Sequence, residues 1–328
     1  MEALVISLAI VITTACNLSC KHCLRGDAKA QQFPFDILEK AVNGAKQFGL
    51  DSIHLTGGEP FLYGSLPQVF KLAQDNNVSI TFSTNGLLLE KNAGLIERYK
   101  KIIRLLNISL ESYSKDIHEK IRGEGTFDRV LGAFDFCRSV KVPFGILTCL
   151  NKLNCKEPIS LVRFARKYKA SQIFFSAVLP CANTRDNGFI LSEQERSDAL
   201  VELIRLSRVS SMDLFRLFYV PVHIAEPIFA SNNIVMCNNQ SLRVVTLDID
   251  ASVHFCCFMT QYGLANDVEK RLRIVSLRDV SFQDGFKLFS ERIHRLLLSR
   301  IEDFNDETSQ SKGADFNSCF YCYRKLGL

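Results

Sequence analysis

The sequence of 328 residues has neither a long apolar segment nor a dense run of like charge. The N-terminal apolar run, Leu4–Ile12, is shorter than the roughly 20 residues that a membrane-spanning helix needs. Met1-Glu2-Ala3 lacks the basic segment that opens a secretory signal. We therefore predict a cytoplasmic protein without membrane association, whose cysteines stay reduced unless they bind a metal.

Basic tails and basic stripes interleaved with aromatic residues are also missing, and the net charge is only +5. Both features are typical of nucleic-acid-binding proteins, so we predict no nucleic-acid partner. Internal repeats of the solenoid type and low-complexity tracts are absent as well. What remains is an ordinary globular composition, with 47% hydrophobic and 23% charged residues. The length allows one large α/β domain and a smaller appendage.

Short β-branched runs alternate with amphipathic stretches over the first 190 residues or so, which is the pattern of repeated βα units. The predicted strands are Leu4–Thr13, Ser52–Leu55, Ser79–Ser83, Ile102–Leu110, Phe144–Cys149 and Gln172–Val178. The predicted helices are Phe35–Phe48, Leu66–Asn76, Leu88–Lys100, Phe127–Val140 and Pro158–Tyr168. The fold class is therefore α/β, with a partial or full parallel barrel whose functional residues gather where the strands end.

The alternation of predicted strands and helices changes after Ser210, so we place a domain boundary there. It separates residues 1–210 from a small, cysteine-rich α+β module at residues 211–328. Just before it, a capping box at Ser192–Glu195 predicts a helix that runs to Arg208. The module itself is predicted to contain a hairpin of Leu242–Asp248 and Val253–Phe258, a helix over Phe282–Ile301 and a polar, mobile loop over Asp303–Phe316.

Cys16, Cys20 and Cys23 form a CxxxCxxC pattern directly after the first predicted strand. Cysteines this close rarely meet the geometry of a disulfide, so the pattern indicates a metal site. Structural zinc sites and ordinary iron–sulfur clusters take four protein ligands, whereas this loop offers three. One position is left open for a ligand that is not protein. A structural zinc site is the alternative, although His22 is poorly placed to bind an ion shared by both neighbouring cysteines.

Small polar clusters follow the next three predicted strands. Gly57 and Gly58 permit close approach of a backbone to a ligand, and Glu59 offers an acceptor for an ammonium group. Thr84 follows the third strand, and Ser109 and Glu111 follow the fourth. Each of these three clusters alone is typical of a turn or a helix cap. Together with the cysteine loop they make four clusters at successive strand ends, which indicates a binding site.

These motifs together resemble the radical S-adenosylmethionine (SAM) superfamily: the three-cysteine loop CNLSCKHC, then GGEP, STNG and ISLES, over residues 5–190. The resemblance implies a partial (β/α)6 TIM-like barrel and a [4Fe–4S] cluster on Cys16, Cys20 and Cys23. The amino and carboxylate groups of S-adenosyl-L-methionine would complete the open iron. Gly57, Gly58 and Glu59 would hold the amino group, and Thr84, Ser109 and Glu111 the carboxylate or ribose. His22 is expected to pack over the cluster.

The stretch IRGEGTFD at residues 121–128 resembles a segment of superfamily members that carry a C-terminal SPASM or twitch module. The C-terminal cysteines resemble the shorter, twitch-like version, with Ala251 in place of the usual glycine of the hairpin turn. The implied ligands of one auxiliary [4Fe–4S] cluster are Cys237, Cys256, Cys319 and Cys322, with Cys257 as an alternative to Cys256. A zinc knuckle is the other reading of this quartet. We predict that Cys137, Cys149, Cys155 and Cys181 are buried packing residues.

The resemblance implies reductive cleavage of SAM to a 5′-deoxyadenosyl radical, which abstracts hydrogen from a substrate C–H bond. The electron would come from a flavodoxin- or ferredoxin-type reductant. A peptide substrate, crosslinked or oxidised as in peptide maturases, is the first hypothesis. A twitch-type dehydrogenase of a small alcohol or aminoglycoside-like molecule is the second. A non-catalytic iron–sulfur or zinc protein is the hypothesis of another class.

Overall fold

The computed structural model describes residues 5–25, 29–178, 181–210, 216–220, 239, 241–256, 272–305, 322 and 325. Its strands are β1 (Ile6–Thr13), β2 (Leu50–Gly57), β3 (Ser79–Thr84), β4 (Ile103–Ser109), β5 (Phe144–Leu150), β6 (Gln172–Ala177), β7 (Arg216–Val220), β8 (Val244–Leu247), β9 (Ser252–His254) and β10 (Arg273–Ser276). Its helices are α1 (Phe35–Ala45), α2 (Leu66–Asp75), α3 (Ala93–Tyr99), α4 (Lys115–Arg122), α5 (Thr126–Val140), α6 (Pro158–Lys167), α7 (Ala182–Asp186), α8 (Glu193–Ser210) and α9 (Phe282–Asn305).

The strands form one ten-stranded sheet in the order β10-β9-β8-β1-β2-β3-β4-β5-β6-β7. Strands β1 to β7 pair in parallel with their sequence neighbours, as βα units require. The predicted partial barrel of six βα units is confirmed, and so are its six strands. Because the strands are parallel, the loops after β1 to β6 all open at the same edge of the sheet.

Strand β8 pairs in parallel with β1 on the side away from β2, with Ser7 opposite Val244. Strands β9 and β10 continue this edge in antiparallel fashion, which confirms the predicted hairpin. Its turn holds Ala251 at a φ of 66°, in the left-handed region that favours glycine. The sheet thus runs from residues before 210 into residues after it, and the division into 1–210 and 211–328 stays a prediction.

Most predicted helices are confirmed to within a few residues at their ends. Of the predicted Leu88–Lys100, only Ala93–Tyr99 is α-helical, after a 3-10 turn at Glu90–Asn92. Helices α4 and α7 were not predicted. The final helix extends to Asn305, so the first three residues of the predicted polar loop are helical, contrary to expectation. The capping box of α8 is confirmed, because Ser192 N donates to Glu195 Oε2 at 2.7 Å and Glu195 N to Ser192 Oγ at 3.2 Å.

Alternation along β3 shows how the sheet separates its two faces. Ile80 and Phe82 are fully buried and pack towards the helices, whereas Thr81 and Ser83 point into the barrel and are partly exposed. The imidazole of His54 on β2 lies between those two hydroxyls, 2.8 Å from Thr81 Oγ1 and 3.0 Å from Ser83 Oγ. Closed barrels usually fill this space with Val, Ile and Leu. The barrel interior of this chain is instead polar below the strand ends.

Among the residues that the structure describes, none of the helices has the length and apolar character to cross a membrane.

Candidate functional site

The three-cysteine loop follows β1 and opens on a cavity of ≈ 380 Å³ at the strand ends. Cys16 is exposed, Cys20 and Cys23 are half-buried, and all three line the cavity. The loop is fixed to the barrel through its backbone, since Lys21 N donates to Ile121 O at the end of α4, at 2.9 Å. The structure therefore brings the three predicted cysteines to one cavity.

The thiols of this loop influence one another electrostatically. Burial raises the pKa of the Cys20 thiol to about 11; the Arg122 guanidinium, whose Nη1 lies 3.8 Å from Cys20 Sγ, opposes that rise, while Cys23 and Cys16 add to it. Burial likewise raises the pKa of Cys16. Three neighbouring thiolates therefore need a compensating positive charge, which metal ions supply. Within the described ranges, no three His, Cys, Asp or Glu side chains are placed to share one metal ion.

Gly57 and Gly58 carry the end of β2 against the cysteine loop. Gly58 N donates to Thr13 O at 2.7 Å and Glu59 N to Ala15 O at 2.8 Å. A Cβ atom on Gly58 would lie 2.1 Å from Ala15 O, and one on Gly57 would lie 2.1 Å from Thr13 O. Both glycines also line the cavity. The close approach that they permit is thus first of all an approach to the protein's own backbone.

Replacing Gly58 with Ala is expected to destabilise the protein by about 3 kcal/mol, because the backbone beneath the cysteine loop must shift to admit the methyl group. Gly94→Ala in α3 is the matched control, since a Cβ there meets nothing within 4 Å. That change is expected to be neutral or stabilising by up to about 1 kcal/mol. Urea unfolding of the apoprotein measures both. Equal urea midpoints for Gly58→Ala and Gly94→Ala would contradict the close contact between Gly58 and the backbone of the cysteine loop.

Glu59 is fully buried, and its carboxylate is held by the next strand end. It accepts hydrogen bonds from Thr84 Oγ1 at 2.7 Å, Asn85 N at 2.8 Å and Phe61 N at 3.2 Å. Burial raises the pKa of Glu59, and these donors oppose the rise. The carboxylate thus joins the GGEP and STNG motifs, while Thr84 and Asn85 line the cavity. An ammonium contact of Glu59 stays a prediction.

Glu111 forms a buried ion pair with Arg122 at the end of α4. Arg122 Nε and Nη2 donate to Glu111 Oε1 at 2.8 Å and 2.6 Å, and Cys149 N donates to Oε2 at 2.9 Å. Burial alone would raise the pKa of Glu111, but Arg122, His22 and the N–H of Cys149 together outweigh burial, so the pKa lies below its usual value. Burial lowers the pKa of His22, 3.5 Å away, to about 4. Arg122 lines the cavity together with Ser109.

The comparison with known families agrees with this geometry. Residues 10–165 match the family model of the radical SAM superfamily. The chain carries a radical SAM domain. This confirms the radical SAM domain that the motifs predicted, whereas the SPASM or twitch module stays a prediction.

Among curated proteins, a GTP 3′,8-cyclase of Chlorobaculum tepidum is 27% identical over 304 residues, which cover 85% of this chain and 88% of the relative. An AdoMet-dependent heme synthase of Methanosarcina barkeri is 28% identical over 168 residues, or 48% of this chain and 46% of the relative. The chain thus spans most of the first relative and about half of the second.

Among solved structures, native anSMEcpe with bound AdoMet has a TM-score of 0.68 and 20% identity, covering 98% of this chain and 95% of that one. Streptococcus suis SuiB bound to the precursor peptide SuiA has a TM-score of 0.65 and 16% identity, covering 80% and 62%. At these identities the likeness concerns the fold.

A radical SAM domain implies a [4Fe–4S] cluster and SAM, and the described residues fit both groups. Three thiols that line one cavity can each bind a different iron of a cluster, whereas a structural zinc ion takes four protein ligands. The cavity beside them offers the Ser109 hydroxyl, the Asn85 amide and the Arg122 guanidinium, which suit the polar groups of SAM. The donor set therefore favours a cluster over a single structural zinc ion.

Arg122, Asn183 and Asn187 are among the cavity-lining residues that were not predicted from the sequence. Arg122 lies in the IRG stretch, so a signal for it was available. Asn183 and Asn187 belong to the short helix α7 and its end, which have no pattern that marks them.

The C-terminal cysteines are described only in part. Cys256 follows β9 and is half-buried, and Cys322 is buried. Cys237, Cys257 and Cys319 lie outside the described residues, so the auxiliary quartet stays a prediction. Of the four scattered cysteines, Cys137, Cys155 and Cys181 are buried as predicted, whereas Cys149 is half-buried.

Proposed function

We propose that Cys16, Cys20 and Cys23 hold a [4Fe–4S] cluster whose open iron binds the amino and carboxylate groups of SAM. The cluster, once reduced by an external one-electron donor, would supply the electron that cleaves SAM to methionine and a 5′-deoxyadenosyl radical, and this radical would take hydrogen from a substrate C–H bond. The observation that carries the proposal is the convergence of three thiols and Arg122 on one cavity. Binding, orientation and exclusion of water are the tasks of the chain's own residues.

The SAM contacts are assigned by position in the cavity. Gly57 and Gly58 present backbone close to the cysteine loop, and Thr84 and Ser109 present hydroxyls. Glu59 and Glu111 also hold Thr84 and Arg122 in place. Contacts of Glu59 with the amino group of SAM, and of Glu111 with its carboxylate or ribose, remain part of the proposal. Arg122 Nη1 lies 3.8 Å from Cys20 Sγ, and a guanidinium is suited to bind the carboxylate of SAM.

The test is anaerobic reconstitution with iron and sulfide, followed by incubation with SAM and dithionite. Accumulation of 5′-deoxyadenosine supports the enzyme, and its absence from a protein that holds iron points to the non-catalytic iron–sulfur reading. A protein that binds zinc but no cluster under these conditions would support the zinc reading. A flavodoxin- or ferredoxin-type protein is the proposed physiological reductant.

A peptide is the first proposed substrate, to be crosslinked or oxidised. SuiB, which shares the fold, was solved with a precursor peptide bound. A small polar molecule, such as an alcohol or an aminoglycoside-like compound, is the second, and the GTP 3′,8-cyclase relative, named for a small molecule, favours that class. Mass spectrometry of co-expressed peptides separates the two, since loss of two hydrogens from a peptide supports the first. GTP as sole substrate tests the relative's own reaction.

The auxiliary cluster is proposed on Cys237, Cys256, Cys319 and Cys322, where it would accept an electron from the substrate radical. We expect about eight irons per chain after reconstitution, the content of two [4Fe–4S] centres. The variant Cys319→Ala/Cys322→Ala should lose half of that iron. It should keep the SAM-dependent change in the electron paramagnetic resonance spectrum of the first cluster. A parent content of about four irons, unchanged in the variant, would contradict the auxiliary cluster, as would bound zinc.

A further inference from the structure

Helix α7 and the residue that follows it contact the backbone of the cysteine loop. Asn183 Nδ2 donates to the carbonyl oxygen of Cys23 at 3.0 Å, and Asn187 Nδ2 donates to that of Lys21 at 3.2 Å. The same amide of Asn187 lies 2.8 Å from Asn183 O. Two amide side chains, four residues apart on one short helix, therefore hold the CxxC half of the loop.

The helix that carries these amides is itself anchored. Cys181 N donates to Thr184 Oγ1 at 2.8 Å, and both residues are buried. Gly188 ends the segment at a φ of 64°, and the following Phe189 is buried. Asn183 and Asn187 thus project from a fixed support, although the helix has only five residues.

The cysteine loop is also held by hydrogen bonds to α4 and to the residue that follows β3. Lys21 N is bound by Ile121 O, and Asn17 Oδ1 accepts from Asn85 Nδ2 at 2.8 Å. Asn85, Asn183 and Asn187 all line the cavity as well. A ligand in the cavity therefore meets the same side chains that fix the positions of the cysteines.

We propose that Asn183 and Asn187 are positioning residues that clamp the cluster-binding loop and make the retention of the cluster depend on occupancy of the cavity. The inference rests on the proposed cluster at Cys16, Cys20 and Cys23. Without the two amides, the carbonyls of Cys23 and Lys21 lose their fixed donors and the CxxC segment samples more conformations. Outer partners of metal ligands commonly change affinity for the metal in this way.

The experiment compares the reconstituted full chain with Asn183→Ala, Asn187→Ala and the double variant. Alanine is the best helix former, so α7 itself is not weakened. Arg185→Ala is the matched control, because Arg185 is exposed on the same helix. The rate of iron loss to a ferrous chelator is measured with and without SAM, and electron paramagnetic resonance of the reduced protein reports the SAM-dependent spectral change of the first cluster.

We expect the double variant to lose iron about 10-fold faster than the parent, and SAM to protect it less. Asn187→Ala alone should give about a 5-fold change, the effect of one hydrogen bond. Arg185→Ala should behave as the parent does. Thermal unfolding of the apoproteins should be the same for all, which separates positioning from folding.

The outcomes are distinguishable. A parent without any SAM-dependent spectral change would overturn the proposed function, and the clamp with it. A parent with that change and a double variant that loses iron at the parental rate, with full protection by SAM, would overturn the clamp alone. If the double variant does not fold, Asn187→Ala decides in the same way, because Asn187 is exposed and its replacement leaves the core intact.

Discussion

Replacing Cys20 with Ala is expected to reduce formation of 5′-deoxyadenosine to the uncatalysed background and to leave the first cluster unassembled. Cys20 lies between Cys16 and Cys23 in the loop and next to Arg122, so its loss removes one of the three proposed protein ligands. With two protein ligands, a [4Fe–4S] cluster would have two irons without a protein ligand, whereas such centres prefer four cysteine ligands. Anaerobic reconstitution, iron analysis and chromatography of the reaction products measure the effect.

Cys137→Ala is the control for this variant. Cys137 is a fully buried thiol on α5, so its removal costs packing but no ligand of the proposed cluster. It should retain the iron content and most of the activity of the parent. Substantial 5′-deoxyadenosine from Cys20→Ala, or equal losses in both variants, would contradict the assignment of the loop.

Replacing Arg122 with Met is expected to lower the free energy of unfolding of the apoprotein by about 3–5 kcal/mol, since it leaves the Glu111 carboxylate buried without its cation. Glu111 is completely buried and the Arg122 side chain is 12% exposed. The double variant Glu111→Gln/Arg122→Met should recover much of this loss, because Gln carries no charge that burial penalises. Urea unfolding of the single and double variants measures the coupling.

The exposed pair of Asp51 and Arg104 provides the comparison. Arg104 donates to both carboxylate oxygens of Asp51, at 2.7 Å and 2.9 Å, but the two side chains are 42% and 50% exposed. Arg104→Met should therefore cost only about 0–1 kcal/mol. Similar costs for Arg104→Met and Arg122→Met would show that burial does not set the importance of the inner pair. A double variant as unstable as Arg122→Met would show the same.

The six core strands could be predicted because short, β-branched apolar runs are local information. The three-cysteine loop could be assigned for the same reason, since its ligands lie within eight residues of one another. The partners of Glu59 could not be predicted, because Thr84 and Asn85 reach it only when β2 and β3 pair. Long-range contacts of this kind follow from the register of the sheet, which a single sequence leaves open.

Helix α7 shows a second reason why parts of the candidate site could not be predicted from the sequence. Its five residues are fewer than two turns, too few for a helical period to be visible, and its capping involves Cys181, which is not a usual cap residue. The roles of Asn183 and Asn187 follow only from its position against the cysteine loop. Helix α4 is not predicted from the sequence, because the motif that contains Arg122 indicates a family resemblance and not the end of a helix.

The pairing of β1 with β8 affects how the chain folds while it is synthesised on the ribosome. Strand β1 is synthesised long before Val244–Leu247, the segment that pairs with one of its edges. Until that segment emerges, the apolar first strand presents an open edge to other chains, which is a known route to aggregation. Contacts so distant in sequence also slow folding. The yield of folded protein should therefore respond to synthesis rate and chaperones more strongly than its stability suggests.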